Sequence, residues 1–248
     1  MTDVFTEPVA DRVVLVELRR PPHNFIDERG LTELADTLLA YDDDDDVSCL
    51  VLAAQGRHFC AGVDLRGIGA AGIRRFYRQA LRVFSGRKPV VAAVHGAAVG
   101  GGLGLAMAAD FRVAAPDARL TANFARLGFH HGFGLSVTLP RAVGQQRALE
   151  LLYTGRSVGG TEAVELGLCD RVADDPRGTA IAFASEIAAS APLSLPAIRA
   201  TMRRSMVADV SAALDIEANA QAALLGTADF AEGIAASVEK RSPRFSSS

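Results

Sequence analysis

The sequence predicts an α/β fold, because short apolar runs alternate with stretches patterned at helical spacing and the final part is mostly helical in pattern. Residues 12–18 (RVVLVEL) read as a first strand, and residues 26–41 as an amphipathic helix with Leu31, Leu34, Leu38 and Tyr41 on one face. Further strands are expected at 48–53, at 89–94 and near 111–114. Between the second and third, residues 73–84 repeat apolar groups at helical spacing while Arg74, Arg75, Arg78 and Arg82 take the other face, a stripe that reads as solvated surface. The five acids at 42–46 read as an exposed turn, since adjacent carboxylates repel and cannot all point at one ion. From 145 onward come helical patterns at 145–155, 161–166 and 179–190, then a long stretch over 195–238 and a tail, KRSPRFSSS, that reads as frayed. Two units are expected: a core over 1–190 and a helical region over 191–248, packed on the core or on a neighbouring subunit.

The chain has 248 residues, 49% hydrophobic and 22% charged. A globular chain of this size buries roughly 70–75% of its unfolded surface, enough for a full core without metal or disulfide staples. With 26 basic against 29 acidic residues the formal charge is −3, which argues against a nucleic-acid partner and leaves room for a small ligand held by local groups. Cys49, Cys60 and Cys169 cannot all pair and no Cys/His cluster has zinc spacing, so a reducing compartment and no metal site are expected. The beginning MTDVFTEPVADR carries acids where a leader has a basic region, and long apolar stretches are broken by glycine; a cytoplasmic chain with no membrane partner is the expectation.

The densest chemical signal is HGAAVGGGLGLAMAAD, from His95 to Asp110, where a buried strand runs through three glycines into an apolar helix. Glycines let a ligand approach bare backbone, and a helix start aims unpaired N–H groups at it. Walker, dinucleotide, nucleophile-elbow and zincin patterns all fail to match. Close packing of the backbone explains the glycines equally well at this point.

Residues 56–67, GRHFCAGVDLRG, tip that balance. With the glycine cluster, the stretch LPRAVGQQRALELLYTGR…EAVELGLCDRV and the ending EKRSPRF, the chain resembles the crotonase, or enoyl-CoA hydratase/isomerase, superfamily over about residues 12–245. The resemblance implies a spiral of ββα repeats with a C-terminal helical trimerisation region, assembled as a homotrimer or dimer of trimers. It implies an acyl-CoA substrate, with coenzyme A as part of the substrate and no separate cofactor. Carried over, the two backbone N–H groups that stabilise an enolate-like oxyanion are those of Val63 and Gly101, and such donors commonly contribute about 10²–10³ in rate. His23, Asn24 and Phe25 fall where the N-terminal loop meets the nucleotide, and Ala61, Asp64 and Leu65 on the adenine and pantetheine side. Asp64 reads equally as a turn residue. Arg20, Arg57 and Arg66 are candidates for the phosphates, or simply solvated.

The pattern departs from the hydratases at both of their carboxylates. Gly104 stands two residues past the last glycine of the triplet and Phe124 four before Gly128, where those enzymes carry Glu. Each missing group is expected to cost about 10²–10⁴ in water addition. Gly100, Gly104 and Phe124 are expected to line the acyl side, Phe124 making it drier. The replacement candidates are His131, at a place where one branch of the family carries an acid, and His130; Gly132 takes the place of the dehalogenases' nucleophilic Asp, and Asn123 supplies no carboxylate. His95 and His58 read as a strand-end or core residue and a surface neighbour of the CoA site. The expected function is an acyl-CoA thioester enzyme of the hydratase/isomerase type. The alternatives are a non-catalytic acyl-CoA-binding protein, or isomerisation, thioester hydrolysis or C–C cleavage.

Overall fold

In the computed structural model, which describes residues 2–64 and 68–247, the strand expected at 12–18 is β2 (Val13–Leu18), buried along its whole length. It pairs antiparallel with β1 (Val4–Ala10), then parallel with β3 (Cys49–Ala54). The ladder continues in parallel through β4 (Val90–Val94) and β6 (Phe111–Ala114) to β9 (Arg171–Val172). β1 escapes sequence reading because it is an edge strand: most of its residues face water, and Pro8 sits where no ladder donor is needed. A smaller sheet pairs β5 (Ala97–Val99) with β7 (Arg119–Thr121) and β8 (Ser157–Gly159), three residues each, too short to show a period.

Both faces of the large sheet are covered, as parallel strands require. On one side α7 (Pro176–Ala188) lays Ala180, Ala184 and Ala188 against Val13, Leu15, Val51 and Val91. On the other, α1 (Glu28–Ala40) buries Leu31, Leu34, Ala35 and Leu38, and α2 (Ala70–Ser85) buries Ile73, Phe76, Tyr77 and Phe84. α1 starts two residues later than its apolar pattern because Asp27 caps it, accepting from the Gly30 amide at 2.8 Å. The arginine stripe of α2 is outward but not merely solvated: Arg75 pairs with Glu28, Arg82 with Asp36, and Arg74 donates to Asn219.

The spiral appears as a repeated step from the large sheet to the small one to a helix. β4 leads to β5 and α3 (Gly101–Ala108); β6 leads to β7 and, after a short 3-10 turn at Asn123–Leu127, to α4 (Leu135–Val143). β3 leads to Cys60, which bridges Ala98 of β5, and then to α2. α5 (Gln145–Thr154) and α6 (Gly160–Glu165) follow. The long C-terminal pattern is two helices, α8 (Ser194–Leu224) and α9 (Ala228–Glu239), divided where the Thr227 hydroxyl caps α9 by accepting from Phe230 N at 3.1 Å. Val210, Leu214 and Ala218 of α8 belong to the same core as α1 and α2. The tail expected to fray is tied to α9: Glu232 accepts from Arg244 N and Asp229 from Ser246 N. Among the described residues no helix is long and apolar enough to cross a membrane.

Asp110, at the head of β6, fastens α8 to the sheet. Its carboxylate accepts from Val90 N at 2.8 Å, Arg199 Nε at 2.8 Å and Arg203 Nη1 at 2.5 Å. Burial pushes this carboxyl up, but the two guanidinium groups prevail and hold it below the usual carboxylate range. Its contribution to stability is therefore present above about pH 4 and is lost as pH falls through the lowered value. Asp110→Asn leaves buried cations uncompensated and is expected to destabilise the fold by about 3 kcal/mol in urea unfolding at pH 7. The variant is also expected to show a shallower loss of stability in acid.

Candidate active site

The glycine cluster is required by close approach of two backbone segments. A Cβ on Gly102 would stand 2.1 Å from the Cys60 carbonyl oxygen, and one on Gly101 would stand 2.4 Å from Val63 Cγ2. Gly100 adopts φ +56°, a left-handed conformation that favours glycine, and so turns β5 into α3. Around Val63 the chain forms a parallel bridge with Ile26: the Gly62 carbonyl accepts from Ile26 N, and Asp64 N donates to the Ile26 carbonyl, both at 3.0 Å. A parallel bridge uses the groups on either side of its central residue, which turns the N–H of Val63 away from Ile26. Gly101 opens α3, where an amide has no partner within the helix. Two backbone donors thus stand side by side.

Val63 and Gly101 both line a cavity of about 480 Å³. Its walls are mostly apolar, with Phe76, Phe124, Phe129 and Phe133 among them, and α9 closes one side with Phe230 and Ile234. Of the residues expected at a ligand, Phe25, Ala61, Val63, Asp64, Gly100, Gly101 and Phe124 line it. Leu65 and Arg66 lie outside the described residues.

Several expected contacts are placed elsewhere. Asn24 is 2% exposed and spends its side chain on the loop, its amide nitrogen donating to the carbonyls of Gln55 and His58 and its oxygen accepting from Arg20 N. His23 stacks on His58 with ring centres 5.3 Å apart, beside Phe25 rather than in the cavity wall. His58 accepts from Ala97 N through Nδ1, and His95 reaches the Gly56 carbonyl at 3.1 Å. Arg20 is held by Asp27 at 2.8 Å and lies near Asp3, while Arg57 is exposed. Gly104 is beneath the wall: a Cβ there would meet Phe133 Cβ at 2.4 Å, so the Phe133 ring, not a side chain at 104, faces the ligand space.

The two candidate histidines stand apart from this lining. His130 and His131 stack with ring centres 4.1 Å apart and are absent from the described cavity lining; the chain presents Gly132 and Phe133 there instead. His131 Nε2 lies 2.8 Å from Ser136 Oγ, whose hydroxyl donates to Glu217 at 2.7 Å. Glu217, on α8 and fully buried, also accepts from Gly134 N and Ser136 N, so it caps the start of α4 from across the core. Burial pushes the Glu217 carboxyl up against these hydrogen bonds, and burial together with His130 pushes His131 down to about 4. Gly132 is small because a Cβ would strike the Tyr77 hydroxyl at 1.6 Å.

Sequence reasoning did not anticipate Tyr77, Gln221, Ser237 or the α9 side chains at the cavity. Tyr77 and Glu217 carry a signal only in retrospect, as polar groups on the apolar faces of α2 and α8. Tyr77 donates to Gln221 at 2.9 Å and Gln221 to the His130 carbonyl at 2.9 Å, locking the loop to α8. A histidine held below its unfolded value of about 6.5 makes the unfolded state bind more protons, so stability is expected to fall as pH drops from about 6.5 toward 4. His131→Gln is expected to remove part of that slope in pH-dependent urea unfolding, and Glu217→Ala to destabilise by about 3 kcal/mol by leaving the α4 amides and Ser136 unpartnered.

The family model described as enoyl-CoA hydratase/isomerase matches residues 9–248. A Bacillus subtilis (strain 168) protein named "Probable enoyl-CoA hydratase" is 36% identical over 94% of this chain and 95% of its own length. The "1,2-epoxyphenylacetyl-CoA isomerase" of Escherichia coli (strain K12) is 32% identical over 99% of each. Among solved structures, an enoyl-CoA hydratase/isomerase from Pseudoalteromonas atlantica T6c superposes with a TM-score of 0.89 at 30% identity, covering 98% of this chain and 100% of that one. The match over nearly all of its length, on the ββα spiral just described, means that the chain belongs to the enoyl-CoA hydratase/isomerase family of the crotonase superfamily.

Proposed function

We propose that this enzyme binds an acyl-CoA thioester with its carbonyl oxygen between the amides of Val63 and Gly101 and stabilises the enolate-like oxyanion formed there. The observation that carries the reading is the side-by-side placement of these two residues on an apolar cavity. Backbone dipoles fixed in advance toward developing charge act most strongly in such a dry setting. Phe25, Ala61 and Asp64 lie on the same cavity and fit the coenzyme side, with coenzyme A entering as part of the substrate.

Ordinary hydration is not the favoured reaction. The two positions of the hydratase carboxylates hold Gly104, covered by Phe133, and Phe124, so water would meet apolar wall where it needs a base. His131 does not fill that role, because its ring is spent on Ser136 behind the wall. The reading therefore favours polarisation of the bound thioester carbonyl without addition of water. Acyl-CoA binding without turnover is the second reading, favoured by the same two substitutions.

Cinnamoyl-CoA tests the oxyanion contact without requiring turnover, since polarising its conjugated carbonyl moves the absorbance to longer wavelength. Binding with a red shift is expected; Gly101→Ala, whose new methyl collides with Val63, is expected to abolish the shift. Binding with no shift in the native enzyme overturns the reading. With crotonyl-CoA at pH 6 to 8, loss of enone absorbance is expected to be at least about 10² slower than in an enzyme holding both carboxylates.

A trimer or dimer of trimers in the cytoplasm belongs to the same proposal. Leu193, Ile198 and Met202, at and near the start of α8, are 83%, 59% and 75% exposed and support an interface between copies. Light scattering is expected to give three or six copies, and Ile198→Asp with Met202→Asp to lower that number.

A further inference from the structure

Phe133 is held in a backbone conformation that bulky residues seldom enter. It lies at φ +61°, in the left-handed region, and Gly134 follows at φ +73°. A residue persists there only where its surroundings over-determine it, and such positions cluster at functional sites. The ring covers one face of α3: Phe133 Cδ2 stands 3.8 Å from where a Cβ on Gly101 would be, and Phe133 Cγ 2.8 Å from where one on Gly104 would be. Gly101 and Gly104 are three residues apart and so share that face. Val63 Cγ2 crowds the same point on Gly101, so the start of α3 packs against Val63 and Phe133 together.

The acceptor that meets this strained stretch is Glu217. Fully buried on α8, it accepts from Gly134 N at 2.8 Å, from Ser136 N at 3.0 Å and from the Ser136 hydroxyl at 2.7 Å. Gly134 N belongs to the planar peptide unit that joins Phe133 to Gly134, so this bond orients the backbone of Phe133 as well as capping α4. An Asp or Ser at the cap position itself would serve α4 alone. An acceptor 83 residues away also ties the loop to α8. The ring packs edge-on to Phe76, with centres 5.9 Å apart, and against Phe84 at 6.2 Å. Such packing is non-directional, whereas a carboxylate bonded to one amide sets an orientation.

We infer that Glu217 is a positioning residue for the thioester site: through the Gly134 amide it holds Phe133 in its left-handed conformation, and Phe133 sets the start of α3, with the Gly101 amide, against Val63. This rests on the proposed seating of the thioester carbonyl between Val63 and Gly101. Glu217 acts from behind the wall, so its effect falls on the aim of a backbone donor and not on the area that a ligand buries. Polarisation of a bound carbonyl depends steeply on donor direction, whereas affinity for the remainder of a coenzyme thioester does not.

Cinnamoyl-CoA reads the two apart on the full-length protein, affinity by titration and polarisation by the red shift of the bound ligand. Glu217→Gln keeps the size of the side chain but replaces one of its two acceptor oxygens by an amide nitrogen. It is expected to bind within about threefold of the native affinity with a smaller red shift. Phe133→Leu is expected to show the same loss, and the double variant no further loss, because both substitutions act at one contact. A role in stability alone predicts a lower urea midpoint with the red shift of the folded protein intact. An intact shift in Glu217→Gln, or losses that add in the double variant, overturns the inference while the thioester site stands. Phe133→Leu leaves Glu217 and its amides in place, so a full shift in that variant overturns the inference even where Glu217→Gln does not fold. If the native protein binds cinnamoyl-CoA with no shift, the thioester reading and this inference fall together.

Discussion

The site depends on one close approach, that of the β5–α3 junction to the segment from Cys60 to Val63. Cys60 N donates to the Ala97 carbonyl and Val99 N to the Cys60 carbonyl, both at 3.0 Å, so the two strands are zipped up to the glycines. There the spacing leaves no room for a single methyl group at Gly101 or Gly102. The contact costs the conformational freedom of three glycines, and the surrounding core offsets that cost. What it secures is a helix start pressed against an extended segment. No side chain need be correct for backbone N–H groups to stand there, because they follow from the path of the chain rather than from residue type.

Around that fixed backbone the walls follow packing rather than acid–base chemistry. Phe133, at φ +61°, turns its ring over Gly104 and toward Gly101, and it is kept there by the α4 start that Glu217 caps. The buried carboxylate of this region therefore acts on backbone amides, one layer behind the cavity. The stacked histidines share that layer. A polar network so nearly satisfied internally has little capacity left for a substrate, and its demand falls instead on uniqueness of packing.

The fold was legible wherever burial imposed a period. β2, β3, β4 and β6 read as apolar runs because both faces are covered, and α1 and α2 as stripes because one face is. β5, β7 and β8 were not legible: three residues carry no period, and their pairing partners lie elsewhere in the chain. At the site, the glycines and FCAGVDL were legible because backbone proximity constrains composition directly. The setting of His131 was not legible because a loop residue's position in the chain says where its Cα falls but not which way its ring turns, and Gly132, with no room for a Cβ, is what meets Tyr77. The hydrogen bonds of Asn24 were not legible for a related reason, since a buried amide between two carbonyls in a loop looks, in sequence, like one at a ligand.

Gly104 packed under Phe133, together with Phe124 on the wall, makes the surroundings of Val63 and Gly101 apolar. Backbone dipoles act more strongly through such a dry medium than they would in water, so the character of this wall sets how much any N–H group facing the cavity can contribute.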